Sequence, residues 1–377
     1  MQIAGSRTNL VTRLGLKGPL IQAPMAGGAT TPELVAAVCN AGALGSLGGA
    51  YLNPSELEKV IRQIKRLTDR PFAVNLFAPS PEPSLNENQI HAAIAATKSY
   101  RQELGMPDPT VKPPFSQNFE DQFSLLLNER PAVFSFTFGL PGKKFLEECR
   151  KRGILTFGTA TTLDEGLALQ EAGVDGVVAQ GAEAGAQRGA FLAENEDFFI
   201  GLAALVPTLT SKLHIPVIAA GGIMNGQGIA AALTLGAEAA QLGTAFLACD
   251  ESGISTTYRD ALLDPKRRAT RLTRAFTGRW ARGLENRFIV EMASKENAVL
   301  PFPAQNAFTQ DIRKKATELG LPEYLSLWAG QGVGLIRALK AETLVTTLFK
   351  EISDAMNRAG TYLRQGYPDM ANGQDAS

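Results

Sequence analysis

Short apolar runs and helix-like segments alternate along the first two thirds of the chain. Four times a helix-like segment ends at a glycine and an apolar run follows at once, in residues 41–46, 152–158, 172–178 and 235–241. Glycine after a helix supplies a left-handed C-cap, and short strands that are apolar on both faces belong in a parallel sheet covered by helices. Further apolar runs lie in residues 20–24, 72–76, 132–136 and 216–220. The pattern therefore predicts eight parallel strands, with helices such as 54–67 and 163–172 between them.

Eight strand–helix units within about 250 residues match the size of a (β/α)8 TIM barrel. An open, doubly wound parallel sheet is the alternative, because glycine-capped repeats occur in both architectures. We predict an α/β fold with a TIM barrel over residues 1–250.

Two regions depart from the repeat. Residues 79–119 are rich in proline and polar residues and follow the third strand, so we expect an insertion over the barrel mouth. After Cys249 the pattern turns helical, in segments 251–263, 264–282, 285–295, 311–319 and 340–358. These segments predict a mostly helical second domain over residues 251–340, which caps the barrel. A C-terminal helix over 341–365 and a flexible tail over 366–377 follow.

Composition and charge exclude several classes of protein. The 377 residues are 45% hydrophobic and carry 37 basic and 37 acidic side chains. Proteins that bind nucleic acid or a membrane surface need an excess of basic residues, so this balance argues against both classes. The apolar stretch 215–248 is interrupted by Pro216 and several glycines, which favours a buried strand–helix–strand unit over a membrane span. The three cysteines have neither disulfide nor metal-site spacing, so we predict no metal site and a reducing, cytoplasmic location.

Two glycine-bearing loops follow the seventh and eighth predicted strands, in residues 219–223 and 241–244. A TIM barrel binds phosphate groups at these loops, and paired glycines that open a helix let backbone N–H groups approach a phosphate. Gly221, Gly222 and Gly243 predict a phosphate-bearing cofactor, although the same glycines also suit tight turns.

Two carboxamides mark further strand ends. Asn75 ends the run Phe72-Ala73-Val74, and Gln180 follows Val177-Val178-Ala179. Buried amides need hydrogen-bond partners, and the edge of a flavin ring, with its alternating donors and acceptors, would supply them. A loop-capping role for Asn75 and a surface position for Gln180 are the alternatives.

Several stretches in order along residues 18–340 resemble the nitronate monooxygenase family, formerly called 2-nitropropane dioxygenases. The barrel half contributes Gln22-Ala23-Pro24-Met25-Ala26-Gly27-Gly28, Phe72-Ala73-Val74-Asn75-Leu76-Phe77, Ala179-Gln180-Gly181-Ala182-Glu183-Ala184-Gly185, Ala219-Ala220-Gly221-Gly222-Ile223 and Gln241-Leu242-Gly243-Thr244-Ala245-Phe246. The second half contributes Phe276-Thr277-Gly278-Arg279-Trp280-Ala281-Arg282-Gly283, Pro301-Phe302-Pro303-Ala304-Gln305-Asn306 and Leu327-Trp328-Ala329-Gly330-Gln331-Gly332.

The resemblance implies a barrel that binds FMN non-covalently and oxidises alkyl nitronates, such as propionate 3-nitronate, with O2. It places Pro24 and Met25 along the flavin ring. It also implies cofactor contacts from Asn75, Gln180 and Gly185. It further implies that the phosphate side of the cofactor is held by Gly222, Gln241, Leu242, Gly243 and Thr244.

One position departs from the family pattern. Where the family usually has Gly-His-Arg-Gly with a catalytic histidine base, this chain has Ala186-Gln187-Arg188-Gly189. Glutamine cannot take up a proton near neutral pH. His91 falls in the predicted insertion and His214 precedes the seventh strand at the amino end of the barrel, so neither is a convincing substitute. We therefore expect oxidation of nitronates, which have already lost the α-proton, and weak or no oxidation of neutral nitroalkanes.

An anionic substrate also needs a positive or hydrogen-bonding partner. Arg188, Arg279 and Arg282 are candidates, each with a structural or cofactor-phosphate role as the alternative, and Tyr258 is a candidate donor from the capping domain. Three other functions remain open at this point. They are an enoyl-acyl-carrier-protein reductase that reduces its flavin with NAD(P)H, a flavin-binding protein without catalysis, and a phosphosugar barrel without flavin.

Overall fold

The computed structural model describes residues 9–192 and 199–366. In chain order its strands are β1 (Leu20–Gln22), β2 (Gly45–Gly48), β3 (Phe72–Phe77), β4 (Val133–Thr137), β5 (Leu155–Ala160), β6 (Gly176–Gln180), β7 (Ala186–Gln187), β8 (Val217–Ala220), β9 (Ala239–Leu242), β10 (Thr270–Thr273) and β11 (Ala281–Leu284).

Eight of these strands form one closed parallel barrel. The sheet runs in the order β1-β9-β8-β6-β5-β4-β3-β2. A parallel bridge between Ile21 and Leu44 joins its two ends, because Gln22 N donates to Leu44 O at 2.9 Å and Leu44 N donates to Leu20 O at 3.0 Å. The predicted TIM barrel is therefore confirmed with all eight predicted strands, and the open sheet is excluded.

The helices alternate with these strands. They are α1 (Leu10–Arg13), α2 (Pro32–Ala41), α3 (Pro54–Leu67), α4 (Glu87–Glu103), α5 (Phe119–Glu129), α6 (Lys143–Lys151), α7 (Leu163–Ala172), α8 (Leu202–Thr210), α9 (Gly226–Thr234), α10 (Thr244–Leu247), α11 (Thr256–Leu263), α12 (Arg287–Met292), α13 (Ala304–Phe308), α14 (Gln310–Leu319) and α15 (Ala341–Gly366). Short 3₁₀ helices occupy Ala293–Ala298, Pro322–Tyr324 and Gln331–Leu335.

Local sequence signals begin and end the barrel helices. Before α3, the Asn53 side chain accepts a hydrogen bond from Glu56 N while the Glu56 side chain accepts one from Asn53 N, which is a capping box. Gly42 ends α2 with φ 102° and Gly173 ends α7 with φ 86°, both in the left-handed region that favours glycine. These short glycine turns bring α2 and α7 back onto the sheet, as the sequence pattern predicted.

The eighth helix of the barrel comes from the C-terminal end of the described chain. Helix α15 packs between α2 and α9, and its apolar stripe Ala341, Leu344, Val345 and Leu348 is fully buried in the main core. Gly226 permits this approach, because a Cβ there would lie 2.2 Å from Glu351 Cβ. Residues 243–340 are therefore inserted between the eighth strand and its helix.

The hydrophobic core has a layer inside the barrel and a larger layer between the barrel and its helices. At the amino end of the strands, Leu10 of α1 packs on inward-facing residues such as Ile21 and Phe157 and is fully buried. Leu10 N also donates to Glu238 Oε2 at 3.0 Å. Helix α1 therefore covers this end of the barrel.

The region between β9 and α15 contains five α-helices, α10 to α14, and one antiparallel hairpin. The prediction of a helix over 264–282 is wrong, because β10 and β11 pair with each other there and β11 also pairs with β7. The predicted helical segments 251–263, 285–295, 311–319 and 340–358 hold α11, α12, α14 and α15. The division into domains stays a prediction. Of the predicted tail, Gly366 ends α15 and residues 367–377 lie outside the described residues.

The stretch 215–248 forms β8, α9 and β9, as predicted. Among the described residues, no helix combines the length and apolar character that a membrane span requires.

Candidate active site

A cleft of about 1130 Å³ opens at the carboxyl ends of the barrel strands. The barrel contributes strand ends and the loops after them, and the insertion after β3 contributes residues 109–112 and 115–117. Most of the predicted site residues line this one cleft. They are Pro24, Met25, Asn75, Gln180, Gly185, Gln187, Gly221, Gly222, Gln241, Gly243 and Thr244.

Leu242 is the exception among the predicted cofactor residues. Its side chain is buried in the main core, and its carbonyl accepts a hydrogen bond from Ala23 N at 2.8 Å. Any contact of Leu242 with a ligand would therefore have to come from its backbone.

The glycine loops after β8 and β9 expose backbone donors at the cleft. Gly221 and Gly222 adopt φ angles of 131° and 67°, in the region that favours glycine. Among the described residues, the N–H groups of Gly222 and Gly243 donate to no protein acceptor. Gly243 caps α10, as predicted, but Gly221 and Gly222 precede α9 by several residues instead of opening it.

A second backbone layer fixes these loops from the outside. Gly330 N donates to Thr244 Oγ1 at 2.9 Å, and Gln331 N donates to Glu183 O at 2.9 Å. A Cβ on Gly332 would lie 2.3 Å from Gly222 O. The segment Ala329 to Gly332 therefore needs its glycines in order to approach the cleft loops closely. In the sequence, this positioning role was marked only by the motif 327–332 of the family resemblance.

Asn75 and Gln180 are both held by protein groups. Asn75 Nδ2 donates to Ser135 Oγ at 3.0 Å. Gln180 Nε2 donates to Gln187 O at 3.0 Å, and Gln180 Oε1 accepts from Gly189 N at 2.7 Å. The following loop therefore supplies a partner for each end of the Gln180 carboxamide, and a contact of Gln180 with a cofactor stays a prediction.

The loop that carries Gln187 is fixed from both sides. Strand β7 pairs with β11, and Ala186 has a left-handed φ of 61°, a conformation that costs free energy for a residue with a side chain. The half-buried Gln187 side chain points into the cleft, where Nε2 donates to Tyr51 Oη at 3.4 Å. Burial raises the pKa of Tyr51, while the hydrogen bond from Gln187 and the charge of Arg313 lower it.

The arginines proposed for anion binding face backbone carbonyls. Arg188 donates to Gln180 O at 2.8 Å and to Thr161 O at 3.3 Å, and burial lowers its pKa to about 10. Arg279 donates to Ala190 O, and Arg282 donates to Ala182 O at 3.2 Å. None of the three is among the described residues that line the cleft, which favours the structural alternative for each.

Tyr258 does line the cleft, but its hydroxyl donates to Trp328 O. Burial raises the pKa of this hydroxyl. The histidines lie elsewhere: His91 is exposed on α4 and His214 is exposed before β8, at the amino end of the barrel. Both positions are as predicted, and neither histidine lines the cleft.

Sequence reasoning missed the charged residues that line the cleft. They are Lys112, Asp311, Arg313 and Lys314. Three of the four lie in the first turns of α14. The pattern of charged residues along this helix is that of an ordinary solvent-exposed face, so no local sequence signal distinguishes them. Arg101, which is 1% exposed, pairs with both carboxylate oxygens of Asp311 at 2.7 and 3.1 Å and thereby attaches α14 to α4.

Comparison with known proteins agrees with this geometry. The family model for nitronate monooxygenase matches residues 9–351. A probable nitronate monooxygenase from Staphylococcus saprophyticus is 41% identical over 353 residues, which cover 93% of this chain and 99% of the relative. One from Staphylococcus aureus is 41% identical over 352 residues, with coverage of 93% and 99%.

Solved structures are similar over the same extent. A nitroalkane oxidase from Streptomyces ansochromogenes has a TM-score of 0.87 at 40% identity and covers 93% of this chain and 99% of its own. FabK from Thermotoga maritima has a TM-score of 0.74 at 28% identity, with coverage of 95% and 100%. The resemblance found in the motifs is confirmed: this chain belongs to the nitronate monooxygenase family of oxidoreductases.

Proposed function

We propose that the protein binds FMN in the cleft and oxidises alkyl nitronates with O2, with weak or no activity on neutral nitroalkanes. Family membership supports nitronate oxidation. The observation that carries the substrate restriction is Gln187, which lines the cleft at the position where the family motif usually has its histidine.

The cleft residues fit a phosphate-bearing flavin. The unengaged N–H groups of Gly222 and Gly243 would hold the phosphate, and a side chain at Gly222 would collide with Glu183, since its Cβ would lie 2.9 Å from Glu183 Cβ. Pro24, Met25 and Asn75 line the same cleft and would contact the ring, as the resemblance implies. Thr244 would hold the phosphate loop indirectly, through its hydrogen bond with Gly330.

Bound FMN would supply the electron transfer between nitronate and O2. The protein's own part is to place the substrate and to manage protons. A neutral nitroalkane must lose its α-proton, and a positioned base accelerates such a step by roughly 10²–10⁴-fold. Gln187 cannot accept this proton. The one carboxylate among the described cleft residues, Asp311, is paired with Arg101.

Anaerobic stopped-flow reduction of the bound flavin tests the proposal. Ethylnitronate should reduce the flavin rapidly and nitroethane slowly, and equal rates for the two would contradict the restriction. Gln187→His should raise the nitroethane rate by about 10²-fold or more and leave the ethylnitronate rate within about threefold. Gln187→Asn is the matched control, because it changes the side chain without adding a base.

A second candidate function has structural support. The similarity to FabK, at 28% identity over nearly the whole chain, favours a flavin-dependent reductase that takes electrons from NAD(P)H. Rapid anaerobic bleaching of the flavin by NADH, without oxygen uptake on addition of nitronate, would replace the first proposal with this one.

The three buried free cysteines support a location of the protein in a reducing compartment, the cytoplasm.

A further inference from the structure

Arg313 presents a fixed guanidinium to the cleft. Its Nη2 donates to Asn306 O at 2.7 Å and to Asn306 Oδ1 at 3.0 Å, and its Nε donates to Thr309 O at 3.4 Å. Among the described residues, Nη1 has no hydrogen-bond acceptor, while Arg313 lines the cleft. Three hydrogen bonds therefore hold one edge of the guanidinium, and its remaining N–H groups are available to a ligand.

Tyr51 is a second unengaged donor, on the barrel side of the cleft. Its ring packs edge-on against Phe77, with the centroids 5.3 Å apart. Its hydroxyl oxygen accepts a hydrogen bond from Gln187, which leaves the hydroxyl proton without an acceptor among the described residues. Arg313 is close enough for its charge to act on this hydroxyl. Because burial raises the pKa of Tyr51, the hydroxyl keeps its proton near neutral pH and acts as a donor.

The charge balance around these donors is positive. Asp311 faces Arg101 with both carboxylate oxygens, and Lys112 and Lys314 add two further positive charges to the cleft. One oxygen of a planar two-oxygen group can accept from Arg313 Nη1 while the other accepts from the Tyr51 hydroxyl, since both side chains line the same cleft.

We propose that Arg313 and Tyr51 form a subsite for a planar two-oxygen anion, with Gln187 as the residue that orients Tyr51. Both a nitronate and a carboxylate have this chemistry. Assigning the anion to the oxidised substrate rests on the proposed function, whereas the binding of an anion does not. In this arrangement Gln187, which occupies the position of the family histidine, orients the Tyr51 hydroxyl as a hydrogen-bond donor.

Binding of propionate to the purified full-length protein tests the subsite, with uncharged propionamide as the matched ligand and ligand-observed NMR as the measurement. Wild-type protein should bind propionate at least about tenfold more tightly than propionamide, since hydrogen bonds to charged groups contribute that much. Arg313→Met should reduce this preference to about twofold or less. Lys315→Gln on α14 is the control, since it removes a positive charge outside the cleft and should leave the preference unchanged.

Two variants guard against a folding artefact. Tyr51→Phe removes only the hydroxyl and should weaken propionate binding about threefold to tenfold. Arg313→Lys keeps the charge but loses the guanidinium that Asn306 and Thr309 hold in place, so its preference should lie between those of wild type and Arg313→Met. Unchanged propionate binding in folded Tyr51→Phe and Arg313→Lys proteins would overturn the proposal, as would an equal preference for the two ligands in wild type.

Oxygen uptake then identifies the anion. If kcat/KM of Arg313→Met falls equally for ethylnitronate and propionate 3-nitronate, the subsite holds the nitronate group. If it falls only for propionate 3-nitronate, the subsite holds the distal carboxylate. Both outcomes support the subsite, and a loss for neither substrate contradicts the assignment of the anion to the oxidised substrate. If wild-type protein oxidises neither nitronate, the proposed function fails while the propionate measurement still decides the subsite.

Discussion

The floor and the rim of the cleft differ in how they are built. We call floor the cleft residues that come from the barrel strand ends and the loops directly after them, and rim those from residues 109–117 and 253–328. Among the described residues, the floor contains no acidic or basic side chain, whereas the rim contains Lys112, Asp311, Arg313 and Lys314. The floor offers backbone N–H groups and amides at the ends of strands, and the rim offers three charges on α14 and one, Lys112, in the insertion after β3.

This difference separates two kinds of recognition. Backbone donors in glycine turns have fixed positions, so they suit a large rigid ligand that must always be held in the same way. Charged side chains on an inserted segment can change without disturbing the barrel, so they suit discrimination among small substrates. Loss of a backbone donor in the floor should therefore affect cofactor binding, and loss of a charge in the rim should affect substrate binding or the attachment of the rim.

The largest expected effect comes from the floor. Gly222→Val should abolish flavin binding, because the left-handed φ of 67° disfavours a branched side chain and its Cβ would lie 2.9 Å from Glu183 Cβ. The ratio of flavin to protein absorbance after purification measures the result. Gly105→Val is the matched control, since Gly105 has φ 66° and a Cβ there would have no atom within 4 Å. Flavin retained by Gly222→Val at the level of Gly105→Val would refute the role of this loop.

A smaller effect is expected from the pair that attaches the rim. Asp311→Asn leaves Arg101, which is 1% exposed, without its carboxylate. We expect a loss of roughly 1–3 kcal/mol in the free energy of unfolding, read from the urea midpoint. The exposed pair between Lys315 and Glu318, at 3.5 Å, gives the control. Glu318→Gln should cost about 0.5 kcal/mol or less, and equal losses in the two variants would show that the buried arginine does not attach the rim.

The smallest effect is expected from a second contact between α4 and the rim, which acid should weaken. Hydrogen bonds from Arg287 and Tyr324 lower the pKa of Glu103 from 4.5 to about 2. Because the folded-state pKa is the lower one, the stabilisation is present above about pH 4.5 and is lost as the pH falls towards 2. Glu103→Gln should therefore flatten the decline of the urea midpoint in this range. Glu87→Gln, at the other end of α4, is the control, and parallel declines for Glu103→Gln and wild type would contradict the assignment.

The barrel could be predicted because its signals are local. Glycine C-caps such as Gly42 and Gly173 and short apolar runs each act within a few residues, so all eight strands were identified from sequence. The glycine loops at 221–222 and 243 were placed at the cleft for the same reason, since the order of strands fixes which loops share the mouth.

The missed features depend on partners far away in the chain. Strand β11 pairs with β7, which lies about 95 residues earlier, so residues 264–282 showed only the polarity of a surface helix. Arg313 looks like any exposed basic residue until α14 is packed against α4 through Arg101. Gln180 reads as an amide in need of a ligand, because nothing local shows that the backbone of Gln187 and Gly189 returns to it.

The position of α15 has a consequence for synthesis of the chain. The eighth strand ends at Leu242, but the helix that covers the gap between α2 and α9 begins at Ala341. A ribosome that adds roughly 5–20 residues per second needs on the order of 5–20 s to make the intervening segment. During that interval the apolar flanks of α2 and α9 are open to water. A nascent chain stalled within this window should bind chaperones that recognise exposed apolar surface, and should release them once α15 has emerged.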